Sequence, residues 1–178
     1  MSVGAVHAEP GNLRLRPLRP SDEREAQRAH AELAPEGFAF LLDWDPEQAW
    51  SGYVEMLAQL RHGRAVPADR VPATFLVAQV DDDLVGRVSI RHQLNEYLAE
   101  VGGHIGYGVR PDHRRRGYAT EMLRQALVIA RAEGVERVLV TCDVDNAASA
   151  GVLTRLNGTF EDVRLDRDGT RKRRYWFD

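Results

Sequence analysis

Residues 109–120 read Val109-Arg110-Pro111-Asp112-His113-Arg114-Arg115-Arg116-Gly117-Tyr118-Ala119-Thr120. A strand-like run precedes this stretch and an amphipathic run follows it, so the pattern predicts a turn that opens a helix. The first N–H groups of a helix have no intrahelical partner and carry a partial positive charge, which favours bound anions. Gly117 lets the backbone approach a bulky phosphate, small Ala119 keeps that approach open, and the arginines add charge. We therefore expect this turn to bind a pyrophosphate, and the alternative is a solvated basic turn.

Two common nucleotide-binding motifs do not occur in the sequence. It contains neither Gly-x-x-x-x-Gly-Lys-Ser/Thr nor Gly-x-Gly-x-x-Gly. Both motifs place glycines where a phosphate must meet the backbone, at spacings that this chain does not have. ATP and NAD are therefore poor candidates for the ligand.

Around this turn, hydrophobic periodicity predicts an α/β fold in which a mixed sheet of about seven strands is flanked by helices. Residues 101–142 follow the order strand, helix, strand, which predicts a parallel pair with a right-handed crossover. Four glycines in the first of these strands indicate a bulge or a close approach by a ligand or another backbone. The predicted strands are at residues 13–18, 74–80, 84–91, 101–109, 137–142, 159–165 and 173–177, and the predicted helices are at 22–33, 46–60, 118–133 and 146–156.

The composition predicts one globular domain over residues 1–178. The chain carries 24 basic and 27 acidic side chains, a net charge of −3, with 43% hydrophobic residues. A chain of this size buries roughly two-thirds of its unfolded surface and needs neither a disulfide nor a metal for stability. The single cysteine, Cys142, cannot form an internal disulfide or a cysteine-based zinc site, which favours a reducing, cytoplasmic compartment. No apolar run approaches the ~20 residues that span a bilayer, and residues 1–10 lack a secretory signal pattern, so we expect no membrane partner.

The basic residues are almost all arginine, and Lys172 is the only lysine. An isoelectric point of about 6.1 does not suit a chain that wraps nucleic acid, because neutralising phosphates needs a broad basic face. Two local clusters, Arg110 with residues 114–116 and the run at 171–174, are exceptions to the acidic balance. We expect no nucleic-acid partner.

The motif Arg114-x-x-Gly117-x-Ala119 resembles the Arg/Gln-x-x-Gly-x-Gly/Ala signature of the GCN5-related N-acetyltransferases, the GNAT superfamily. In that family, backbone amides at this turn bind the pyrophosphate of acetyl-CoA. The runs Asn146-Ala147-Ala148-Ser149 and Asn157-Gly158-Thr159-Phe160 are similar to the family's Asn-x-x-Ala/Ser and Gly-Phe landmarks. The resemblance is best over residues 75–160. Residues 90–95 and 102–107 look closest to a bacterial group of predicted acetyltransferases with no settled substrate.

The resemblance implies a single GNAT-like domain that uses acetyl-CoA as co-substrate. Backbone groups of residues 107–109 would contact the acetyl and pantetheine portion, and residues 114–119 would hold the pyrophosphate. Asn146 would contact the cofactor near the next strand, although asparagine is also a favoured helix cap. The implied cofactor contacts are Tyr107, Gly108, Val109, Arg114, Arg115, Arg116, Gly117, Tyr118, Ala119, Thr120, Asn146 and Ser149.

Acetyl transfer to an amine needs a base for the amine proton and donors for the thioester oxygen and the departing thiolate. Many members of the resembled family place a tyrosine in the helix after Asn-x-x-Ser as the acid, and here the matching position is Leu153. Glu100 and His104 are candidate bases, because their even spacing puts them on one strand face unless a bulge intervenes. His104 is alternatively a packed, hydrogen-bonded histidine, and Tyr107 is a candidate proton donor. We expect Cys142, on a buried strand, to be inert.

The expected acceptor is a small primary amine or a peptide amino group. Family relatives build the acceptor wall from the first helices and from loops that correspond here to residues 38–53 and 91–100. The alternative for the aromatic residues in 38–53 is core packing. Leu153 favours a second hypothesis, a non-catalytic acyl-CoA-binding sensor or partner-binding module. A homodimer through a strand edge or exposed apolar surface at residues 175–177 is a further hypothesis. The aromatic residues are Phe38, Phe40, Trp44, Trp50 and Tyr53.

Overall fold

Two antiparallel sheets hold the seven strands found in residues 11–178, the part of the chain that this computed structural model describes. The first sheet has the order β1 (Arg14–Arg16), β2 (Ala73–Val80), β3 (Asp83–Arg91) and β4 (Ile105–Val109). The second contains β5 (Val138–Asp143), β6 (Thr159–Leu165) and β7 (Arg171–Phe177), in the order β5-β7-β6. The expected α/β class is confirmed, but the seven strands form two antiparallel sheets instead of one mixed sheet.

Three of the four α-helices cover the two faces of the first sheet, and the last one packs against β5. The helices are α1 (Glu23–Leu33), α2 (Trp50–Arg61), α3 (Tyr118–Ala132) and α4 (Ala147–Arg155). Side chains on a strand alternate between faces, so β2 serves two cores. Leu76 and Ala78 belong to the core beneath α3, whereas Phe75 and Val77 belong to the core with α1 and α2. These three helices therefore form one layer on each side of the sheet.

The strand predicted at residues 101–109 is shorter than expected. Residues Leu98–Gly102 form a π-helical turn, and β4 begins only at Ile105. Gly103, with φ of 66° and ψ of −179°, joins the turn to the strand. A Cβ atom at Gly103 would lie 2.8 Å from the carbonyl oxygen of Leu139, so the predicted close backbone approach is confirmed here.

The expected parallel ladder between β4 and β5 is reduced to a junction. His104 N–H donates to the Leu139 carbonyl at 2.7 Å, and within residues 11–178 no strand ladder continues from there. The two sheets meet at this junction and are otherwise separate ladders. Beyond this junction, backbone groups on the facing edges of β4 and β5 are therefore available for other hydrogen-bond partners.

The C-terminal strand β7 lies between β5 and β6 and pairs with both. The expectation of a free strand edge at residues 175–177 is therefore wrong, and Tyr175 and Phe177 are buried. A homodimer stays a prediction, without that edge as its basis. In residues 11–178, none of the helices combines the length and apolarity that crossing a membrane requires.

Candidate functional site

The turn before α3 presents backbone N–H groups. Gly117 is the N-cap of α3 with φ of 81°, and Arg115 also lies in the left-handed region with φ of 65°. Glycine adopts this conformation without a Cβ clash, which explains Gly117 at this position. The N–H groups of residues 118–120 have no partner among the described residues, and the first intrahelical bond is from Glu121 to Gly117. Such an arrangement suits a bound anion, and the pyrophosphate contact stays a prediction.

The arginine side chains near this turn divide into different roles. Arg114 donates to the Glu36 carboxylate at 2.7 and 3.0 Å and to the Val109 carbonyl at 3.1 Å. Arg116 donates to the Asp112 carbonyl at 3.0 Å, and Arg115 is exposed. Arg114 and Glu36 are both exposed, and a surface ion pair is worth little, so a stronger anion could replace Glu36.

Arg110, expected to be part of the same basic cluster, is buried. Its guanidinium forms a bidentate pair with Glu32 at 2.8 and 2.9 Å and also donates to Glu25 and to the Leu84 carbonyl. These contacts hold α1 against the sheet. Arg110 is a structural ion pair, and the expectation that it adds charge to the turn is wrong.

One edge of β4 carries unpaired backbone groups. Arg91 N–H donates to the His104 carbonyl, and Arg110 N–H donates to the Val85 carbonyl, so the even-numbered residues of this segment face β3. Antiparallel pairing alternates, so the backbone groups of Tyr107 and Val109 point to the opposite edge. These are residues that the family resemblance assigned to the acetyl and pantetheine portion. The edge lies next to the turn at Gly117 along the chain.

A cavity of about 280 Å³ lies between the later residues of β4 and β5. Its walls come from both sheets and from the first turn of α4. Phe38, from the segment between α1 and α2, closes one side. The residues that line it are Phe38, Arg87, Arg91, Gly102, Ile105, Gly106, Tyr107, Thr141, Cys142, Asp143, Asn146 and Ser149.

Two hydroxyl groups meet in this cavity. The Tyr107 hydroxyl lies 2.8 Å from Ser149 Oγ. Burial raises the pKa of Tyr107 to about 12, so the phenol is protonated at neutral pH. Leu153, at the position where the resembled family often has a tyrosine, is fully buried in the core. Tyr107 thus carries a proton in the cavity, which it reaches from β4 instead of α4, and its role as proton donor stays a prediction.

Asn146 is the N-cap of α4, which is the alternative to a cofactor contact that the sequence offered. Its Oδ1 accepts the Ser149 N–H at 2.9 Å, and Asn146 also lines the cavity. Cys142 lines the cavity too, and burial raises the pKa of its thiol, which keeps it a protonated thiol at neutral pH. The contact of Asn146 with a cofactor stays a prediction.

The two candidate bases do not share a strand face. Glu100 belongs to the π-helical turn, is exposed, and pairs with Arg164 Nη1 at 2.5 Å. His104 is buried, and its Nδ1 accepts the Leu139 N–H at 2.9 Å. Burial lowers the pKa of His104 to about 4. The pairing of Glu100 with His104 assumed an uninterrupted strand, and that assumption is wrong. Neither side chain lines the cavity.

The aromatic segment is mostly core. Phe40, Trp50 and Tyr53 are buried between α1, α2 and the first sheet. Phe38 lines the cavity, and the Arg87 guanidinium lies 4.2 Å from the centre of its ring. Core packing therefore holds for the three buried residues, and a place in the acceptor wall stays a prediction for Phe38.

Three charged residues in the cavity were not predicted. Arg87 and Arg91 lie four residues apart on one face of β3, and Asp143 ends β5. The sequence did show this feature, because two arginines at even spacing within a hydrophobic strand lie on the same face of that strand. Asp143 binds Lys172 Nζ at 2.5 Å and also borders a wider cleft of about 660 Å³ beside the turn between β6 and β7.

Comparison with known proteins agrees with this geometry. A model of the acetyltransferase (GNAT) domain matches residues 12–159. A curated protein of Yersinia pestis (strain Pestoides F), named acetyltransferase, is 29% identical over 92 residues. That match covers 52% of this chain and 62% of the relative, so the chain spans less than two-thirds of the relative's length.

Two solved structures share the fold. Mycobacterium smegmatis RimJ, in complex with CoA-disulfide, has a TM-score of 0.66 and 20% identity over 94% of this chain and 83% of that one. The microcin C7 self-immunity acetyltransferase MccE, in complex with acetyl-CoA and AMP, has a TM-score of 0.62 and 16% identity over 97% of this chain and 99% of that one. Identities this low establish fold and no more. Because the domain model spans residues 12–159, we conclude that the chain belongs to the GNAT acetyltransferase family.

Proposed function

We propose that this chain transfers the acetyl group of acetyl-CoA to a primary amine of a small molecule or a peptide. The observation that carries the proposal is the set of unpartnered N–H groups at residues 118–120, next to the free edge of β4. The first suits a pyrophosphate and the second an extended, amide-containing chain. Membership of the GNAT family supports it, as do the fold neighbours RimJ, with CoA-disulfide, and MccE, with acetyl-CoA and AMP.

Two parts of the site would bind different portions of acetyl-CoA. Backbone N–H groups at the start of α3, with the exposed Arg115, would hold the pyrophosphate. The backbone groups of Tyr107 and the N–H of Val109 would pair with the amides of pantetheine and place the thioester at the cavity, whereas the Val109 carbonyl already accepts from Arg114. A backbone N–H of β4 would also polarise the thioester oxygen.

The transfer itself is a direct displacement. The neutral amine nitrogen attacks the thioester carbon, the C–N bond forms, and the C–S bond breaks. The product amide loses one proton, and the thiolate of CoA takes one up. Tyr107 would supply that second proton, because its hydroxyl is protonated and lies in the cavity. Asp143 would accept the amine proton, directly or through water, since it is the carboxylate among the described residues that line the cavity.

Cofactor binding is tested by thermal unfolding with acetyl-CoA and with CoA, and ATP and NAD serve as controls. A ligand at ~100 times its dissociation constant stabilises a fold by about 2.7 kcal/mol, which raises Tm by about 5–10 °C at this size. Gly117→Val should abolish the shift, because a side chain at this backbone position closes the turn. The matched control is Gly169→Val, which has a similar φ of 88° in the turn between β6 and β7 and should keep the shift. No shift in the wild-type protein would contradict the proposal.

Turnover is tested with a panel of amines, by release of CoA thiol and by mass of the product. Tyr107→Phe should lower kcat by about 10- to 100-fold if Tyr107 protonates the thiolate, and it should leave the acetyl-CoA shift in place. An unchanged kcat would remove Tyr107 from the mechanism.

The second candidate function is acyl-CoA binding without turnover. The buried Leu153 at the position of the usual acid favours it. It predicts the thermal shift with acetyl-CoA and no product with any amine. The same two experiments therefore separate the two functions.

A further inference from the structure

Arg87 and Arg91 have no acidic partner among the residues that the structure describes. Arg87 is 4% exposed, and its Nη2 donates to the Ala39 carbonyl at 2.7 Å, while Nη1 reaches the Gly106 carbonyl at 3.4 Å. Its Nε is buried without a hydrogen-bond partner. Arg91 Nη1 makes two long contacts, 3.3 Å each, to the carbonyls of residues 102 and 103. In residues 11–178, no carboxylate lies within 4.0 Å of either guanidinium.

The other buried arginines in this fold are neutralised. Arg110 is 5% exposed and pairs with Glu25 and Glu32. Arg174 is 4% exposed and pairs with Glu161 and Asp162. Arg87 is buried to the same degree but donates only to carbonyl groups, so it departs from the pattern of Arg110 and Arg174.

This departure has an energetic cost. A buried charge without a counter-ion is unfavourable, and burial together with the neighbouring Arg91 lowers the pKa of Arg87 to about 9. Arg87 still carries its charge at neutral pH. An anion that binds both guanidinium groups would compensate the charge that the fold leaves unpaired.

Both guanidinium groups line the cavity between β4 and β5. Tyr107 and Ser149 line the same cavity, so any group bound by the arginines lies close to the free edge of β4. Asp143 is also in the lining, but it binds Lys172 and neutralises neither arginine. The phenyl ring of Phe38 stacks on Arg87 and fixes the plane of its guanidinium.

We propose that the amine acceptor carries a carboxylate, which Arg87 and Arg91 bind in this cavity. This inference rests on the proposed acetyl transfer. The planar guanidinium groups suit the two oxygens of a carboxylate, and the unpartnered Arg87 Nε is one of the donors. A phosphate monoester is the alternative anion, and the experiment below separates it from a carboxylate. The substrate class is thus an amino acid or another amine that bears a carboxylate.

The experiment compares each carboxylate-bearing amine with its primary amide. Substrates are α-, β- and γ-amino acids and the matching amides, with O-phosphoethanolamine as the phosphate probe. We expect kcat/KM for the acid to exceed that for the amide by about 100-fold or more, as in sites built around a buried polar partner. The α-amine of an amide has a pKa near 8 and is more often neutral, so without carboxylate binding the amide would react faster.

Variants locate the effect. Arg87→Gln and Arg91→Gln should each lower the acid-to-amide ratio by at least about 10-fold. The exposed Arg137, paired with Asp178 far from the cavity lining, is the matched control, and Arg137→Gln should keep the ratio. The acetyl-CoA thermal shift verifies that each variant is folded. Equal kcat/KM values for acid and amide, or a preference for O-phosphoethanolamine, would overturn the inference and leave acetyl transfer standing.

A binding measurement keeps the inference testable without turnover. Titration calorimetry compares N-acetyl amino acids with N-acetyl amino acid amides, without CoA. Binding of the acids alone, lost in Arg87→Gln, supports the carboxylate site even if acetyl-CoA does not bind and the proposed function fails. Absence of binding to the acids at millimolar concentration would overturn the site.

Discussion

His104 links the two sheets through both its backbone and its imidazole. Its backbone N–H donates to the Leu139 carbonyl at 2.7 Å, and its Nδ1 accepts the Leu139 N–H at 2.9 Å. With Nδ1 as acceptor, the neutral ring carries its proton on Nε2. A second proton would break this contact, and burial accordingly lowers the pKa of His104 to about 4. The residue thus contributes to stability and is protonated only in acid.

This pKa predicts a dependence of stability on pH. The unfolded chain takes up a proton near pH 6.5, whereas folded His104 does so only near pH 4. The unfolded state therefore binds more protons in this window, and stability falls as pH decreases through it. Between pH 7 and 4.5 the loss from His104 should be about 2–3 kcal/mol.

Urea unfolding of the wild type and of His104→Asn tests this value. Asparagine places an oxygen where Nδ1 lies and does not titrate, so the variant should lack this part of the loss. His30 and His92 also have pKa values lowered by burial, and they remain in both proteins. Parallel pH profiles for the two proteins would show that His104 titrates normally.

At the scale of secondary-structure elements, Arg110 joins α1 to the strands beside it. It follows β4 directly and contacts Glu25 and Glu32 on α1 and the Leu84 carbonyl on β3. Removing it would take the buried cation from two carboxylates and a donor from the Leu84 carbonyl. Of the described partners, Glu32 would keep only the exposed Arg28 and Glu25 only the Leu84 N–H. Removal of one partner from a buried ion pair is strongly destabilising, because the other charge stays uncompensated.

We expect Arg110→Met to lower the free energy of unfolding by about 3 kcal/mol in urea at pH 7. The control is Arg28→Met, since Arg28 binds the same Glu32 from an exposed position and should cost at most about 0.5 kcal/mol. If both variants cost the same, the contacts of Arg110 with α1 and β3 are not worth more than a surface pair.

The elements with strong local patterns were predicted well. Residues 159–165 form β6 at the predicted bounds, and α3 starts at Tyr118 as expected. In contrast, the run of glycines before Ile105 fits a strand or a turn equally well. Contact with β5 selects the π-helical turn, and that contact is not visible in the local sequence.

The candidate site likewise has residues that the local sequence predicted and residues that it did not. The turn at Gly117 was predicted because its features lie within a few residues of one another. The roles of Arg87 and Arg91 were not, because their burial depends on carbonyls of residues 39, 102, 103 and 106, which belong to other parts of the chain. Glu100 was misplaced because the strand begins only at Ile105, later than its pattern suggested.

At the scale of the whole molecule, Gly103 sets the distance between the two sheets. Its φ of 66° and ψ of −179° belong to a region that is essentially restricted to glycine, and a Cβ atom there would lie 2.8 Å from the Leu139 carbonyl oxygen. A side chain at this position would be strained and would also force the sheets apart. The cavity beyond the junction would change with them.

We expect Gly103→Ala to cost about 3 kcal/mol of unfolding free energy and to weaken the acetyl-CoA thermal shift. Gly151→Ala is the matched control, because a Cβ atom there meets nothing within 4 Å on α4. It should be neutral or stabilise by up to about 1 kcal/mol, as alanine is the better helix former. A Gly103→Ala protein as stable as the wild type would show that the junction is adaptable.

The pair between Lys172 and Asp143 also affects how the protein behaves as a reagent. The chain has one lysine, and that lysine is held by a carboxylate at 2.5 Å, with its pKa raised. A protonated amine is not a nucleophile, so prolonged incubation with a reactive thioester should leave this lysine almost unlabelled. Acyl labels on lysine after a reaction can therefore be attributed to a protein or peptide acceptor and not to the enzyme.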